Sequence, residues 1–295
     1  MDFGRIVTAM VTPFNEQGQI DYNDVTKLVN HLVGNGSDSL VVAGTTGESP
    51  TLSKEEKVSL FKHVIRIVDG RIPVIAGTGS NNTNASIELT QAAEEAGADG
   101  IMLVTPYYNK PSQEGMYQHF KAIAETTALP IMLYNVPGRT VVSLMPETTI
   151  RLSHLPNVVA IKEASGDLDA ASMIIENSSD GFDLYGGDDS MTLPLLSIGA
   201  KGVVSVAAHI IGKNMAQMVQ QFLDGNNTTA AKQHRELLPI MSAMFMAPNP
   251  VPVKAALEMQ GIISGDVRLP MIRLSDEESH ILYSILQPNA TFYVS

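Results

Sequence analysis

The sequence predicts an α/β fold, a (β/α)8 TIM barrel with a C-terminal helical extension. Three observations carry this. Eight short, β-branched apolar runs alternate with eight amphipathic stretches. The runs are apolar throughout, as expected of parallel strands covered on their faces. After about Gly225 the alternation gives way to helical patterns alone. Eight βα units favour closure into a barrel over an open sheet.

In chain order, strands are expected at Arg5–Met10, Ser39–Val42, Pro73–Ala76, Gly100–Val104, Pro130–Tyr134, Val158–Lys162, Asp183–Tyr185 and Gly202–Val206. The intervening helices are expected at Tyr22–Asn35, Lys54–Val68, Thr83–Ala96, Gln113–Thr127, Pro146–Leu152, Asp169–Glu176, Met191–Ile198 and Asn214–Asp224. Gly97-Ala98-Asp99-Gly100 and Gly199-Ala200-Lys201-Gly202 each end a helix and open a strand, with a first glycine suited to a left-handed cap. The helical part is expected at Thr228–Met246, Pro252–Gln260 and Ser275–Ile285, where Ser275 and Glu278 have capping-box spacing. No low-complexity linker intervenes. Residues 1–224 therefore read as the barrel carrying the active site, and 225–295 as a helical domain packed on it. The tail after Pro288 is expected to fray.

Composition removes several classes of function. The 295 residues include no cysteine, which excludes a thiol nucleophile, a Cys zinc site and an iron–sulfur cluster. This fits a cytoplasmic protein. The N-terminus lacks the basic and apolar regions of a signal peptide, and no run has the length of a membrane span. A net charge of −12 disfavours nucleic acid and anionic lipid as partners, and an anionic substrate would need locally placed donors.

In this fold the active site forms where strands end and the following loops begin. Lys162 stands out there, because of eleven lysines it alone closes an apolar strand, Val158-Val159-Ala160-Ile161. The other lysines read as helix faces or loops. Burial favours the neutral amine, which can attack a ketone to form an iminium. The competing reading is a lysine that reaches solvent or pairs with Glu163. Tyr134 ends the preceding strand and could shuttle protons; alone it is equally a rim tyrosine. Thr45 and Thr46 lie in a glycine-bracketed turn that can aim N–H groups at a carboxylate, although such turns are commonly structural. Arg139 follows a Pro-Gly turn in a loop and could fork onto a carboxylate, with a surface salt bridge as the plainer role. Gly77-x-Gly79 lacks the third glycine of a dinucleotide loop, and no Walker lysine follows, so nucleotide binding is rejected. Asp188-Asp189 fits a helix cap better than a metal, since the seven histidines show no ligand spacing.

Together these residues identify a resemblance over nearly the whole chain, from Gly4 to about Leu286. The sequence resembles the dihydrodipicolinate synthase (4-hydroxy-tetrahydrodipicolinate synthase) family, within the N-acetylneuraminate lyase superfamily. The resemblance rests on Gly44-Thr45-Thr46-Gly47-Glu48-Ser49, Val104-Thr105-Pro106-Tyr107-Tyr108-Asn109, Tyr134-Asn135-Val136-Pro137-Gly138-Arg139-Thr140, Ile161-Lys162-Glu163-Ala164 and Asn249-Pro250-Val251-Pro252-Val253-Lys254. It implies an imine between Lys162 and pyruvate, and a proton relay of Tyr134, Thr46 and Tyr108. Thr45 and Thr46 would hold the pyruvate carboxylate, and Arg139 that of L-aspartate 4-semialdehyde. Gly187 and Val204 would contact substrate or the lysine through their backbone. The imine is the electron sink, so no metal or organic cofactor is expected. Tyr108 would reach across a tight dimer interface, giving a homo-oligomer, a dimer of dimers by the family pattern. Where many members bind inhibitory lysine, Ser49, Asn81 and Tyr107 match, but Lys54 and Lys57 replace histidines and Ala85 replaces a glutamate. The resemblance thus implies weak or absent lysine inhibition. Two rivals stay open at this point: a sialic acid or sugar-acid lyase of the superfamily, and a non-catalytic pyruvate-responsive regulator.

Overall fold

A computed structural model describes residues 2–287; the expectation for the tail after Pro288 lies outside them. The strands are β1 (Ile6–Ala9), β2 (Ser39–Val42), β3 (Val74–Gly77), β4 (Gly100–Val104), β5 (Ile131–Asn135), β6 (Val158–Glu163), β7 (Asp183–Gly186) and β8 (Gly202–Ser205). They pair in parallel in sequence order, and β8 returns to β1, so no strand edge is left open. The helices around them are α1 (Tyr22–Gly34), α2 (Lys54–Val68), α3 (Thr83–Glu95), α4 (Gln113–Ala124), α5 (Pro137–Thr140), α6 (Pro146–Ser153), α7 (Leu168–Asn177), α8 (Thr192–Ser197) and α9 (Ala208–Leu223). The extension adds α10 (Asn227–Ala243), α11 (Val251–Met259) and α12 (Asp276–Leu286).

Side-chain alternation along each strand divides the core in two. Outward residues such as Leu40, Val42, Ile101, Leu103, Leu133 and Ile161 pack beneath the helices. Inward residues fill the barrel: Val7, Val41, Ile75, Met102, Met132, Ala160, Tyr185 and Val204. The interior is thus a packed core, and only its C-terminal mouth can accept a ligand. Burial of each valine, leucine, isoleucine or methionine among them contributes about 1.5–3 kcal/mol.

Every expected strand boundary falls within one residue of the observed one. The expected left-handed caps are present at Gly97 (φ 89°) and Gly199 (φ 106°), and Ser275 and Glu278 form the capping box of α12. The helices expected to end at Thr127 and Met246 end three residues earlier, at Ala124 and Ala243, and two further helical expectations need correction. The helix expected from Asn214 begins at Ala208, without a side-chain cap to announce it. Its first carbonyls face other partners: His31 Nε2 donates to His209 O at 2.7 Å and Asn35 Nδ2 to Ala208 O at 3.2 Å. Ile211 accordingly departs from helical geometry, with φ −117° and ψ 29°. The one-turn helix α5 was expected as loop. Pro137 at its first position supplies the required φ at no cost in hydrogen bonds.

His209 is wholly buried as the neutral imidazole: Val11 N donates to Nε2 at 3.1 Å, and Nδ1 donates to Val206 O at 2.8 Å. Burial pushes it down to about 4, and does the same for His119. Unfolded histidine takes its proton near 6.5. Between pH 6.5 and 4 the unfolded chain therefore binds more protons than the native one, and stability falls as pH falls. At pH 5 the loss is expected to be roughly 2 kcal/mol per histidine relative to pH 7. Urea midpoints at the two pH values check this; equal midpoints would refute it.

Candidate active site

The register of β5, β6 and β7 fixes the centre of the site. Lys162 lies opposite Tyr134 on one side and Tyr185 on the other. Ala160 points inward and Ile161 outward, so Lys162 projects into the barrel at the end where the active-site loops begin. Its side chain is 5% exposed, and its Nζ lies 4.2 Å from the centre of the Tyr134 ring. Glu163, the carboxylate that could have competed for it, is on the outward face. There it accepts from Asn135 Nδ2 at 3.0 Å and Ser165 N at 2.7 Å.

Gly187 closes the far side of the lysine. A Cβ there would stand 2.5 Å from Ala164 Cβ and 3.1 Å from Lys162 Cε, so no side chain fits. Its N–H donates to Glu163 O at 2.7 Å. Val204 lies inward on β8 in the same interior cluster as Tyr134. Asp188 caps the turn that follows β7 by accepting from Ser190 N at 3.1 Å. The Asp189 carboxylate accepts from the Ala207 and Val206 N–H groups at 2.8 and 3.2 Å. Burial raises its pKa. Among the described residues no three His, Asp or Glu side chains gather as a metal-ligand set.

Tyr134, the ring neighbour of Lys162, lines a cavity of about 280 Å³. Thr45, Tyr134 and Arg139 line it, as do Ser49, Lys57 and Tyr107. Its lining contains two cations, Lys57 and Arg139, and no carboxylate, although the chain carries a net charge of −12. Such a site favours small anions. Burial lowers the pKa of Lys57. Gly77-x-Gly79, rejected above as a nucleotide loop, has a packing reason: a Cβ on Gly79 would stand 2.4 Å from Val104 N.

The turn after β2 is held at both ends. Glu48 N donates to Thr45 O at 3.0 Å, and Thr12 Oγ1 donates to Gly47 O at 2.7 Å. Thr46 lies behind the cavity wall, 3% exposed, where its Oγ1 accepts from Asn249 Nδ2 at 3.0 Å. Arg139 rides on α5, not in a loop, because Val136 O accepts the N–H groups of both Arg139 and Thr140. Tyr108 is the candidate that the fold does not bring to the lysine. It is 87% exposed, outside the cavity, with a left-handed φ of 73° that is uncommon for a bulky residue.

Two groups at this site were missed by reading the sequence. Lys254, expected on a helix surface, is fully buried. It donates to Glu48 Oε1 at 2.5 Å and to Asp266 O at 2.7 Å. Burial pushes its pKa down to about 8 against the pull of Glu48. Asn249 is buried beside Thr46. One signal was available: Lys254 interrupts the apolar run Val251-Pro252-Val253 and Ala255-Ala256-Leu257, as Lys162 closes one in β6.

Comparison with known proteins agrees with this geometry. The chain is 61% identical over 295 residues to 4-hydroxy-tetrahydrodipicolinate synthase 1 of Halalkalibacterium halodurans, covering 100% of both. It is 60% identical over 287 residues to the 4-hydroxy-tetrahydrodipicolinate synthase of Bacillus subtilis, covering 97% of this chain and 99% of that one. The crystal structure of a Bacillus anthracis dihydrodipicolinate synthase superposes with a TM-score of 0.96 at 57% identity, over 98% and 99% of the two chains. The model of the Dihydrodipicolinate synthetase family matches residues 2–289. With the barrel, the inward lysine and its tyrosine in place, the chain belongs to the dihydrodipicolinate synthetase family.

Proposed function

We propose that this chain is a cytoplasmic lyase that condenses pyruvate with L-aspartate 4-semialdehyde through a Schiff base on Lys162. The product is 4-hydroxy-tetrahydrodipicolinate, on the route to diaminopimelate and lysine. The observation that carries this is the inward lysine of β6 with its Nζ over the ring of Tyr134, which itself lines a cavity containing two cations and no carboxylate.

The amine of Lys162 attacks the C2 carbonyl of pyruvate, and water leaves as the iminium forms. The iminium acidifies the methyl group, which loses a proton to give the enamine. The enamine carbon then bonds to the aldehyde carbon, whose oxygen gains a proton. Finally the substrate's amine adds to C2 and expels Lys162, closing the ring. Tyr134, Thr46 and Tyr108 move the protons in this reading. Thr45 and Thr46 hold the pyruvate carboxylate, Arg139 holds that of the aldehyde, and Gly187 and Val204 shape the pocket by their backbone. Both substrates are carboxylates, which supports the match to a lining without acidic groups. The synthase relatives at about 60% identity weigh against a sugar-acid lyase or a regulator.

The exposed, left-handed Tyr108 supports a homo-oligomer in which a second copy receives it, as a tight dimer assembled into a dimer of dimers. Among the described residues no helix is long and apolar enough to cross a membrane.

Turnover of the two substrates, coupled to a reductase and read as NADPH consumption, tests the function. Without turnover but with a borohydride-trapped pyruvate on Lys162, the imine would stand and the aldehyde would be wrong. Lysine is expected to inhibit weakly or not at all. Lys54 is neutralised by Glu88 at 2.7 Å, so the repulsion of a cationic effector falls to Lys57, beside Ser49 and Tyr107 in the cavity wall. Half-inhibition by sub-millimolar lysine would contradict this.

A further inference from the structure

Strand β6 does not run in simple alternation. Val158 packs outward beneath the helices, whereas Val159 and Ala160 both pack toward the barrel interior. The pairing with β5 gives the reason. Ile131 lies opposite Val158 and Met132 opposite Ala160, so β6 carries one extra residue, Val159. Such an insertion re-aims the side chains that follow it. Counted from Val158 in strict alternation, Lys162 would point outward and Glu163 inward. With Val159 inserted, Lys162 points inward beside Tyr134 and Glu163 points outward. A slip of one residue separates the two frames and exchanges the two faces.

The bulged frame is fastened on its outward face. Asn135 and Glu163 are register partners, one step beyond Tyr134 and Lys162. They are 2% and 4% exposed. Asn135 Nδ2 donates to Glu163 Oε2 at 3.0 Å and to Oε1 at 3.3 Å, and Ser165 N donates to Oε1 at 2.7 Å. The other half of the carboxamide is used as well, since Asn135 Oδ1 accepts from Leu144 N at 2.9 Å. Among the described residues Glu163 forms no ion pair. A buried carboxylate without a counter-ion depends on its hydrogen-bond donors, and these are at hand only while Glu163 faces outward.

We propose that Asn135 and Glu163 are positioning residues for the reaction, which together lock β6 in the frame that turns Lys162 inward against Tyr134. This rests on the reading in which Lys162 carries the imine and Tyr134 moves its protons. Neither residue of the lock lines the cavity, so each acts through its strand neighbour. A shift of about 1 Å imposed from outside the reacting groups can cost on the order of a hundredfold in rate. The lock needs a donor on one strand and acceptors on the other. Glu163→Gln sets a carboxamide N–H group against Asn135 Nδ2 or Ser165 N. Asn135→Asp sets two carboxylates face to face. The double exchange Asn135→Asp/Glu163→Gln satisfies the bonds again. The new carboxylate accepts from Leu144 N and from the new carboxamide, whose oxygen accepts from Ser165 N.

The test is steady-state kinetics, borohydride trapping of pyruvate and thermal midpoints of the full-length protein as Glu163→Gln, Asn135→Asp, the double exchange, Tyr134→Phe and Glu163→Gln/Tyr134→Phe. Each single exchange at the lock is expected to lower kcat/KM for pyruvate roughly ten- to a hundredfold. Trapping should slow in step, with the midpoint within about 5 °C of wild type. The double exchange is expected to return to within about fivefold of wild type. On the Tyr134→Phe background Glu163→Gln is expected to cost less than it does alone, because the lock acts through the placement of the lysine against that tyrosine. Normal lock variants beside a slow Tyr134→Phe overturn the lock and leave the reading standing. A wild type that traps no pyruvate, or a Tyr134→Phe as fast as wild type, overturns the reading and the lock with it. Fully additive losses, a double exchange as slow as the singles, or a single variant that fails to fold reduce the pair to a structural one.

Discussion

Lys162→Ala is expected to lower turnover of pyruvate and L-aspartate 4-semialdehyde on the order of 10³-fold or more. The side chain cannot be bypassed, because the imine nitrogen takes up the electron pair at proton loss and returns it when the carbon–carbon bond forms. Among the described residues it is the only lysine in a barrel strand, so no second amine stands ready to replace it. The fold should tolerate the change. Lys162 lies at the mouth of the barrel, its outward neighbour Ile161 stays packed, and Glu163 keeps its own partners. Borohydride with pyruvate should add mass to the wild type and none to the variant. A variant that keeps more than about one per cent of turnover would assign the nucleophile elsewhere.

Lys254→Met is expected to destabilise the protein by roughly 3–5 kcal/mol, because it leaves the Glu48 carboxylate buried without its counter-ion. The pair is almost wholly out of water, with side chains 0% and 3% exposed. Removing one partner therefore costs far more than breaking a surface bridge such as Lys54–Glu88. In a thermal scan this corresponds to a fall of about 10 °C. Lys254→Met combined with Glu48→Gln should recover much of the loss, since no charge then remains buried. If the single variant melts with wild type, the pair does not hold the two regions together. Activity should fall with stability, because Glu48 closes the turn that carries Thr45 and Thr46.

The barrel was legible in the sequence because its signals are local. Each strand is a run of apolar residues, and each helix repeats its own face. Lys162 was legible for a related reason, as a charge at the end of an apolar run has few other uses. What escaped depends on distant partners. Lys254 lies in a helical stretch where a lysine is expected to face water, and only Glu48 and Asp266 make its burial acceptable. Asn249 is a polar residue in a turn, and nothing nearby in sequence points to Thr46. The start of α9 escaped because its first carbonyls bond to His31 and Asn35 on another helix and its end. The one-turn α5 was too short for a periodic signal.

The bonds from Asn249 to Thr46 and from Lys254 to Glu48 join residues 203 and 206 positions apart. During synthesis, all eight strands have left the ribosome before either bond can form. A chain interrupted after α10 would carry its lysine and its tyrosine but not the brace behind its threonines. The turn that carries the threonines is thus braced by residues made after the whole barrel.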